Sequence, residues 1–477
     1  MTLMQGFILL NVLFFGAAAV FPRLRKALWG EFESWGEIAK FVGFGIVFGL
    51  IIGDYWTLRL LKDSLFAAVI PYKQWRWTAK GLSMLSVPVL LIVYSKLLDW
   101  IGRKKAFYVL ATFFGISSLI FAYFFAHEYY GLPNTVKSPT RMIGWLWYVF
   151  VEMYGSFVVA LFWAIMTDIT KPGAAKRIFP LIVLGGQAGN AVLPFILLPL
   201  GKNVFGNSAP VVGICGLIVL VAGILMWFFM HVLPKEQLEG YKTKEAEKIA
   251  EEETGFLEGL KLLVSEKYLL GIFAIVSFFE VLVTIFDFYF KAMCFDFFPS
   301  EVLANDYFKW YGSLTGLVAM YCVLFGINNI QRRLGMKISL ILTPLLIGVA
   351  VVLINFTSGT TVALTVALAV MVCSKAVNYA LNGPTLKQLY IPTSEDVRYK
   401  SQAWIETFGS RGAKFGGELF NRLRATFDGI WGVAGGASVF LLLAGGLSGV
   451  LVIVWMLAAV SVSKRYDKAM KNDELVC

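Results

Sequence analysis

Long apolar runs alternate along the chain with short polar connections, most of them basic. Crossing the hydrocarbon of a bilayer as a helix takes about 20 apolar residues, and runs of that length recur from Phe41 to Val462. The pattern predicts helices over 40–69, 75–98, 104–126, 144–168, 177–199 and 209–231, then over 268–296, 307–329, 338–357, 361–392, 403–428 and 433–462. The expected fold is an all-α membrane protein with twelve transmembrane helices in two six-helix halves, 40–231 and 268–462. Between them, 232–267 contains KEQLEGYKTKEAEKIAEEE, which reads as a solvated cytoplasmic linker. Residues 463–477 are expected as a cytoplasmic tail.

The first 39 residues form a separate segment, a hydrophobic anchor followed by a basic stretch. Leu3 to Phe21 is apolar and is followed by Arg23, Arg25 and Lys26. A signal peptide carries its positive charges before the apolar run, not after it. The order therefore predicts an additional helix entering from outside, or an interfacial anchor.

Of 477 residues, 58% are hydrophobic and 15% charged, which excludes an ordinary soluble globule. The formal charge of +11 does not call for nucleic acid, because the basic residues gather on alternate connections. Clusters at Arg23–Lys26, Arg103–Lys105, Lys171–Arg177, Arg332–Lys337, Arg398–Lys400 and Lys464–Lys471 predict those loops, and the C-terminus, on the cytoplasmic side. Lys73, Arg76 and Lys80, and later Lys137 and Arg141, are exceptions to this pattern. The five cysteines have no paired or metal-like spacing, and His127 and His231 sit at span ends with no cluster of ligands. No metal and no cofactor are expected.

The halves share landmarks: Lys62 and Lys291, Arg103 and Arg332, and Lys171 and Lys400 are each 229 positions apart. DWIGRKK and IQRRLGMK both read as basic, Gly-containing tight turns. A duplicated six-helix bundle produces such recurrence, as in the major-facilitator architecture, whose halves rock around a site near the bilayer midplane.

An ionisable group at a span centre costs at least about 2.5 to 3.5 kcal/mol on insertion scales, so it needs a partner or a wet cavity. The first span carries Asp54, Arg59, Lys62 and Asp63, with Arg59 and Lys62 on one face. The fourth carries Glu152 and Ser156, and the seventh carries Glu280, Thr284, Asp287 and Lys291 as one stripe. The eleventh places Arg411, Lys414, Glu418 and Arg422 in a row, with glycines at 409, 412, 416 and 417 that permit close approach. The tenth adds Lys375, Asn378, Tyr379, Asn382 and Thr385. These groups can be internal ion pairs: Asp287 with Lys291, Glu152 with a lysine of another helix, Glu418 with Arg422. As an ensemble they predict more. The spans are expected to carry more cations than their nearby carboxylates can neutralise, notably Arg59, Lys62, Lys291, Arg411 and Lys414, and a cationic cavity suits a multiply charged anion such as a di- or triphosphate. There is no GxxxxGK[ST] motif, so side chains would bind the phosphates. The spacings Gly185 to Gly189 and Gly445 to Gly449 read as helix-packing faces.

At TLRLLKDSLF, VEMYGSFVVALFWAIMTDIT with AAKRIFPLIVLGG, FDFYFKAM, and VNYALNGPTLKQLYIP running into YKSQAWIETFGSRGAKFGG, the chain resembles the ATP/ADP translocases of intracellular bacteria and plastids. The resemblance extends from about Phe41 onward. It implies nucleotide exchange by alternating access, and it gives particular weight to Lys62, Glu152, Asp287 and Lys414. There are departures: Asp287 stands where the family usually has Glu, Asp54 where Asn is common, and Asn382-Gly383-Pro384 where the family has Phe-Asp-Pro.

The expected function is import or exchange of a phosphorylated nucleoside across a bacterial inner membrane. Lys62 and Lys414 are the expected phosphate ligands, assisted by Arg59, Lys291 and Arg411, while Glu152 and Asp287 pair with lysines or carry a proton. Tyr379, Asn382 and Trp404 are candidates for base and ribose, and Asp54 for proton coupling. The alternative is a proton-coupled symporter of another nucleotide, a dinucleotide or an organic anion. A membrane enzyme or scaffold finds less support, since no nucleophile sits beside a base. The partners expected are the nucleotide and the lipid bilayer, and no oligomeric state is implied.

Overall fold

The computed structural model describes residues 35–476 apart from 171, 235, 237, 239–260, 262, 325–327, 394–400, 403, 406–408 and 473. The expected N-terminal anchor, most of the linker, and the landmarks Lys171 and Lys400 lie outside the described residues. Within them the order is α1 (Trp35–Val69), α2 (Tyr72–Ala126), α3 (Met142–Asp168), α4 (Pro172–Leu200), a π-turn (Gly201–Phe205) and α5 (Ala209–Val232). There follow α6 (Lys267–Phe297), α7 (Glu301–Leu324), α8 (Asn328–Thr357), α9 (Ala363–Val377), a second π-turn (Asn378–Asn382), α10 (Gly383–Gln388), α11 (Ser410–Asn421) and α12 (Leu423–Asn472). No strand occurs among the described residues. Eight of the described helices are long and apolar enough to cross a membrane, so the protein is a multi-pass membrane protein.

The two tight turns expected from DWIGRKK and IQRRLGMK are kinks at Gly102 (φ 74°, ψ 158°) and Gly335 (φ 79°, ψ 174°). Both are backbone conformations that a side chain disfavours, which explains a glycine at each. Their near-identical dihedrals extend the recurrence between the sequence halves from charge to geometry.

Several boundaries differ from expectation, three of them with a clear cause or consequence. The second span begins at Tyr72, three residues earlier than expected, so Lys73 enters the helix along with Arg76. The span expected over 361–392 is broken: α9 opens into the π-turn, where Gly383 N–H donates to Asn378 O, and Pro384 follows in the first turn of α10. Proline supplies no N–H, and a widened turn is one way a helix accommodates that loss. At the other end, α12 continues through SKRYDKAMKN to Asn472, a stretch free of Gly and Pro with Lys471 in its last turn. The tail then returns, with Val476 N–H donating to Pro392 O at 2.8 Å.

The described chain divides into two compact units. The first takes the residues up to Tyr72, Leu85–Thr243 and Phe295–Leu324; the second takes Lys73–Met84, Lys244–Cys294 and Phe325 onward. Each unit draws residues from both sequence halves.

In the first unit, α1 lies against α4 with backbone close to backbone at their glycines. A methyl at Gly49 would stand 2.9 Å from Gly185 O, and Gly189 packs on Gly49 in return. The Gly185-to-Gly189 spacing is a helix-packing face, as expected, and its partner is the Gly45-Gly49-Gly53 row of α1. The other side of α4 receives α7, where a methyl at Gly316 would come 2.6 Å from Ala191 N. Aromatic rings join α2 to α3, Phe114, Phe121, Trp147 and Phe150 among them.

In the second unit, α8 packs on α12, and Gly445 lies against the Asn355 side chain, while Gly449 faces open space. Only the first of that expected pair is therefore a packing position. The same split occurs on α11: Gly409 and Gly417 lie against Phe273 and Val281 O, but Gly412 and Gly416 meet nothing. Phe440 of α12 gathers Phe288, Tyr289 and Phe420 around it.

Candidate functional site

The polar side chains of α1 separate into two environments. Asp54 is fully buried, with Tyr154 of α3 and Cys215 of α5 beside it. Roughly two turns further along, the Lys62 ammonium binds the Glu152 carboxylate of α3 and lies 4.2 Å from the centre of the Tyr148 ring. Lys62 is 5% exposed and Glu152 27%, so the carboxylate is the more accessible partner. Arg59 stacks on the Trp56 ring at 5.0 Å, and Trp56 in turn meets Tyr311 of α7. Burying a cation without a counter-charge is costly, and Glu152 with the Tyr148 ring provides what the interior lacks.

The second unit holds a larger array. Asp287 of α6 lies 3.0 Å from Lys291 and 2.8 Å from Arg76, and Arg76 also reaches Glu418 of α11 at 3.3 Å. Asn421 donates to the other Glu418 oxygen at 3.1 Å. Arg76 additionally lies over the Phe288 ring. Seven residues before Asp287, the Glu280 carboxylate accepts from Ser410 Oγ at 3.0 Å and faces Lys414 Nζ at 3.3 Å. The charge of Lys375, from α9, also acts on Glu280.

Three expected pairings can now be compared with the geometry. Asp287 does pair with Lys291, and Glu152 does pair with a lysine of another helix. Glu418 pairs with Arg76 instead of Arg422, whose guanidinium stacks on Trp77. The surplus of cations over nearby carboxylates also needs revision, since Lys62, Lys291 and Lys414 each have a carboxylate partner. Counting along single helices misses partners that neighbouring helices supply.

Among the remaining candidates, Asn382 is buried and donates to Asn378 Oδ1 at 2.9 Å across the π-turn. Tyr379, in the same turn, is exposed, and Trp404 meets Phe273 edge-on. Arg411 follows Ser410 on α11.

The residues that the sequence reading passed over are Arg76, Lys73 and Arg424. Lys73 lies 3.0 Å from Asp428, which also binds Arg424 at 2.6 Å. The signal was present: Lys73 and Arg76 were exceptions to the charge pattern of the loops, and both turn out to be in ion pairs within the second unit. Among the described residues no group of His, Cys, Asp and Glu could hold a metal ion.

Structural comparison finds transporters. A bacterial homologue of the iron transporter ferroportin, in its inward-facing state, aligns with TM-score 0.60 and 12% identity over 89% of this chain and 100% of that one. The nucleoside transporter NupG aligns with TM-score 0.56 and 16% identity over 89% and 98%. A D-xylose-proton symporter aligns with TM-score 0.58 and 13% identity over 87% and 96%. At these identities the likeness is one of fold, which is major-facilitator-like. By sequence, ADP,ATP carrier protein 1 of Rickettsia prowazekii (strain Madrid E) is 24% identical over 94% of this chain and 97% of its own length. Its namesake from Rickettsia bellii (strain RML369-C) is 26% identical with the same coverage. Residues 17–466 match the description of one family over nearly the whole length, and the chain belongs to that TLC ATP/ADP transporter family.

Proposed function

We propose that the protein moves a phosphorylated nucleoside such as ATP or ADP across a membrane by alternating access. One observation carries this reading: each compact unit holds a lysine against a carboxylate that is not sealed from solvent, Lys62 with Glu152 and Lys414 with Glu280. Phosphate oxygens make charge-assisted hydrogen bonds to ammonium and guanidinium groups and can replace a carboxylate there. Lys62 and Lys414 act as phosphate ligands, with Arg59, Lys291 and Arg411 adding positive field, and Glu152 and Asp287 hold cations through the cycle. Tyr379, Asn382 and Trp404 contribute to base and ribose recognition. The proposed frame is twelve spans in two six-helix halves, 40–231 and 268–462, joined by a cytoplasmic linker over 232–267 and preceded by an N-terminal anchor. The proposed location is a bacterial inner membrane with the C-terminus in the cytoplasm.

Uptake of labelled nucleotides into proteoliposomes tests the assignment. The parent is expected to transport at least one nucleotide, and Lys62→Ala and Lys414→Ala are each expected to lower uptake at least about tenfold, the effect of losing one charge-assisted phosphate contact. Absence of nucleotide transport, or parental rates in both variants, overturns it.

A second reading, proton-coupled symport, is favoured by the fully buried carboxyl of Asp54. An imposed pH gradient that drives uptake without internal nucleotide, and fails to do so in Asp54→Asn, supports symport over exchange.

A further inference from the structure

The carboxylate facing Lys414 is Glu280, not Asp287. Asp287 is engaged twice through one oxygen, Oδ2, by Arg76 and Lys291, whose side chains are 3% and 2% exposed. Arg76 also pairs with Glu418, on which the charge of Lys80 acts as well, so this array holds its carboxylates among several cations inside the second unit. The Glu280 environment is different. One carboxylate faces Lys414 at 3.3 Å, a direct ion pair, and lies in the field of Lys375 as well. The Lys414 side chain is 40% exposed, against 2% for Lys291, so an incoming anion can reach it. Ser410 donates to the same Glu280 oxygen that faces Lys414, which gives the carboxylate a hydrogen bond to keep when the lysine leaves.

We infer that Glu280 is the displaceable counter-ion of Lys414: it occupies the ammonium while the carrier is empty and yields it to a phosphate of the substrate. This rests on the nucleotide-carrier reading above. A di- or triphosphate brings more charge than one carboxylate and offers oxygens to Lys414 and Lys375 together. Its own charge repels Glu280, which retains Ser410. In the empty protein, Glu280 keeps Lys414 from being carried through an occluded, low-dielectric state as an uncompensated cation, which is strongly unfavourable. Two consequences follow for Glu280→Gln. Phosphate binds more tightly, because a competitor and a repulsive charge are gone. Reorientation without substrate slows, because no internal anion replaces the phosphate.

The test compares two modes of ATP uptake in proteoliposomes, into empty vesicles and into vesicles preloaded with unlabelled ADP. For Glu280→Gln the expected result is a KM lowered about fivefold, the size of a modest ion-pair competition. The ratio of net uptake to exchange is expected to fall at least about tenfold, while Glu280→Asp stays within about twofold of the parent on both measures. Parental KM and parental ratio in Glu280→Gln overturn the proposal. So does a raised KM in both variants with equal loss of thermal stability, which marks a packing role. If the parent moves no nucleotide, the carrier reading fails by itself. Thermal stabilisation by inorganic pyrophosphate then decides the role of Glu280: Glu280→Gln must show the lower half-saturating concentration, and an equal or higher one overturns it.

Discussion

Two carboxylates on α6 illustrate how much a side chain's role depends on what other helices bring to it. Asp287 is paired with two buried cations, and removing its charge takes from Lys291 the carboxylate at 3.0 Å and leaves Arg76 to Glu418. Asp287→Asn is therefore expected to destabilise the protein by about 3 kcal/mol or more, visible as a large fall in melting temperature in detergent. Glu280 has a partly exposed partner, and neutralising it should cost no more than about 1 kcal/mol in the same assay. The helical period placed both residues on one stripe and only the family resemblance favoured Asp287, because a period shows which residues share a face and not what lies opposite. The deciding partner, Arg76, comes from a distant segment. Arg141 is a second residue whose work is invisible in sequence. Its guanidinium donates to the carbonyls of Asn134, Val136, Tyr130 and Gly131, clasping the connection between α2 and α3. Arg141→Ala leaves those carbonyls without their donor, and hydrogen exchange across 129–138 is expected to accelerate by at least about tenfold, the equivalent of one to two hydrogen bonds.

At the scale of elements, the apolar periodicity was enough to locate most of the helices, and small-residue spacing was enough to locate the α4 face. The spacing did not identify its partner on α1, nor that Gly449 would face open space where Gly445 is packed. Small residues permit approach without compelling it. The two outcomes predict opposite mutational behaviour. Gly189→Val places branched carbons against the Gly49 backbone and is expected to cost several kcal/mol, in the range of severe overpacking, or to prevent accumulation of folded protein. Gly449→Val should leave the melting temperature within about 1 kcal/mol of the parent on the stability scale. The π-turn at Asn378–Asn382 was equally hidden. Its cause, Pro384 behind an asparagine pair, is local, but propensity alone does not distinguish a widened turn from a simple kink.

For the molecule as a whole, hydropathy and charge asymmetry were sufficient for the class, and the recurrent basic turns anticipated the matched kinks at Gly102 and Gly335. Neither indicated that Lys73–Met84 and Phe295–Leu324 would each join residues of the opposite sequence half. Such an assignment depends on contacts hundreds of positions apart, which a single sequence does not encode in any readable period. It has a consequence for a protein made in two pieces. If translation is split inside the 239–260 stretch, each fragment lacks a segment that its compact unit requires and holds one that the other needs. Either fragment alone is expected to be degraded or to aggregate. Expressed together, they should be recovered as a stoichiometric pair through a tag on one of them, because the reciprocal loan of a helix does the joining that the peptide bond no longer does.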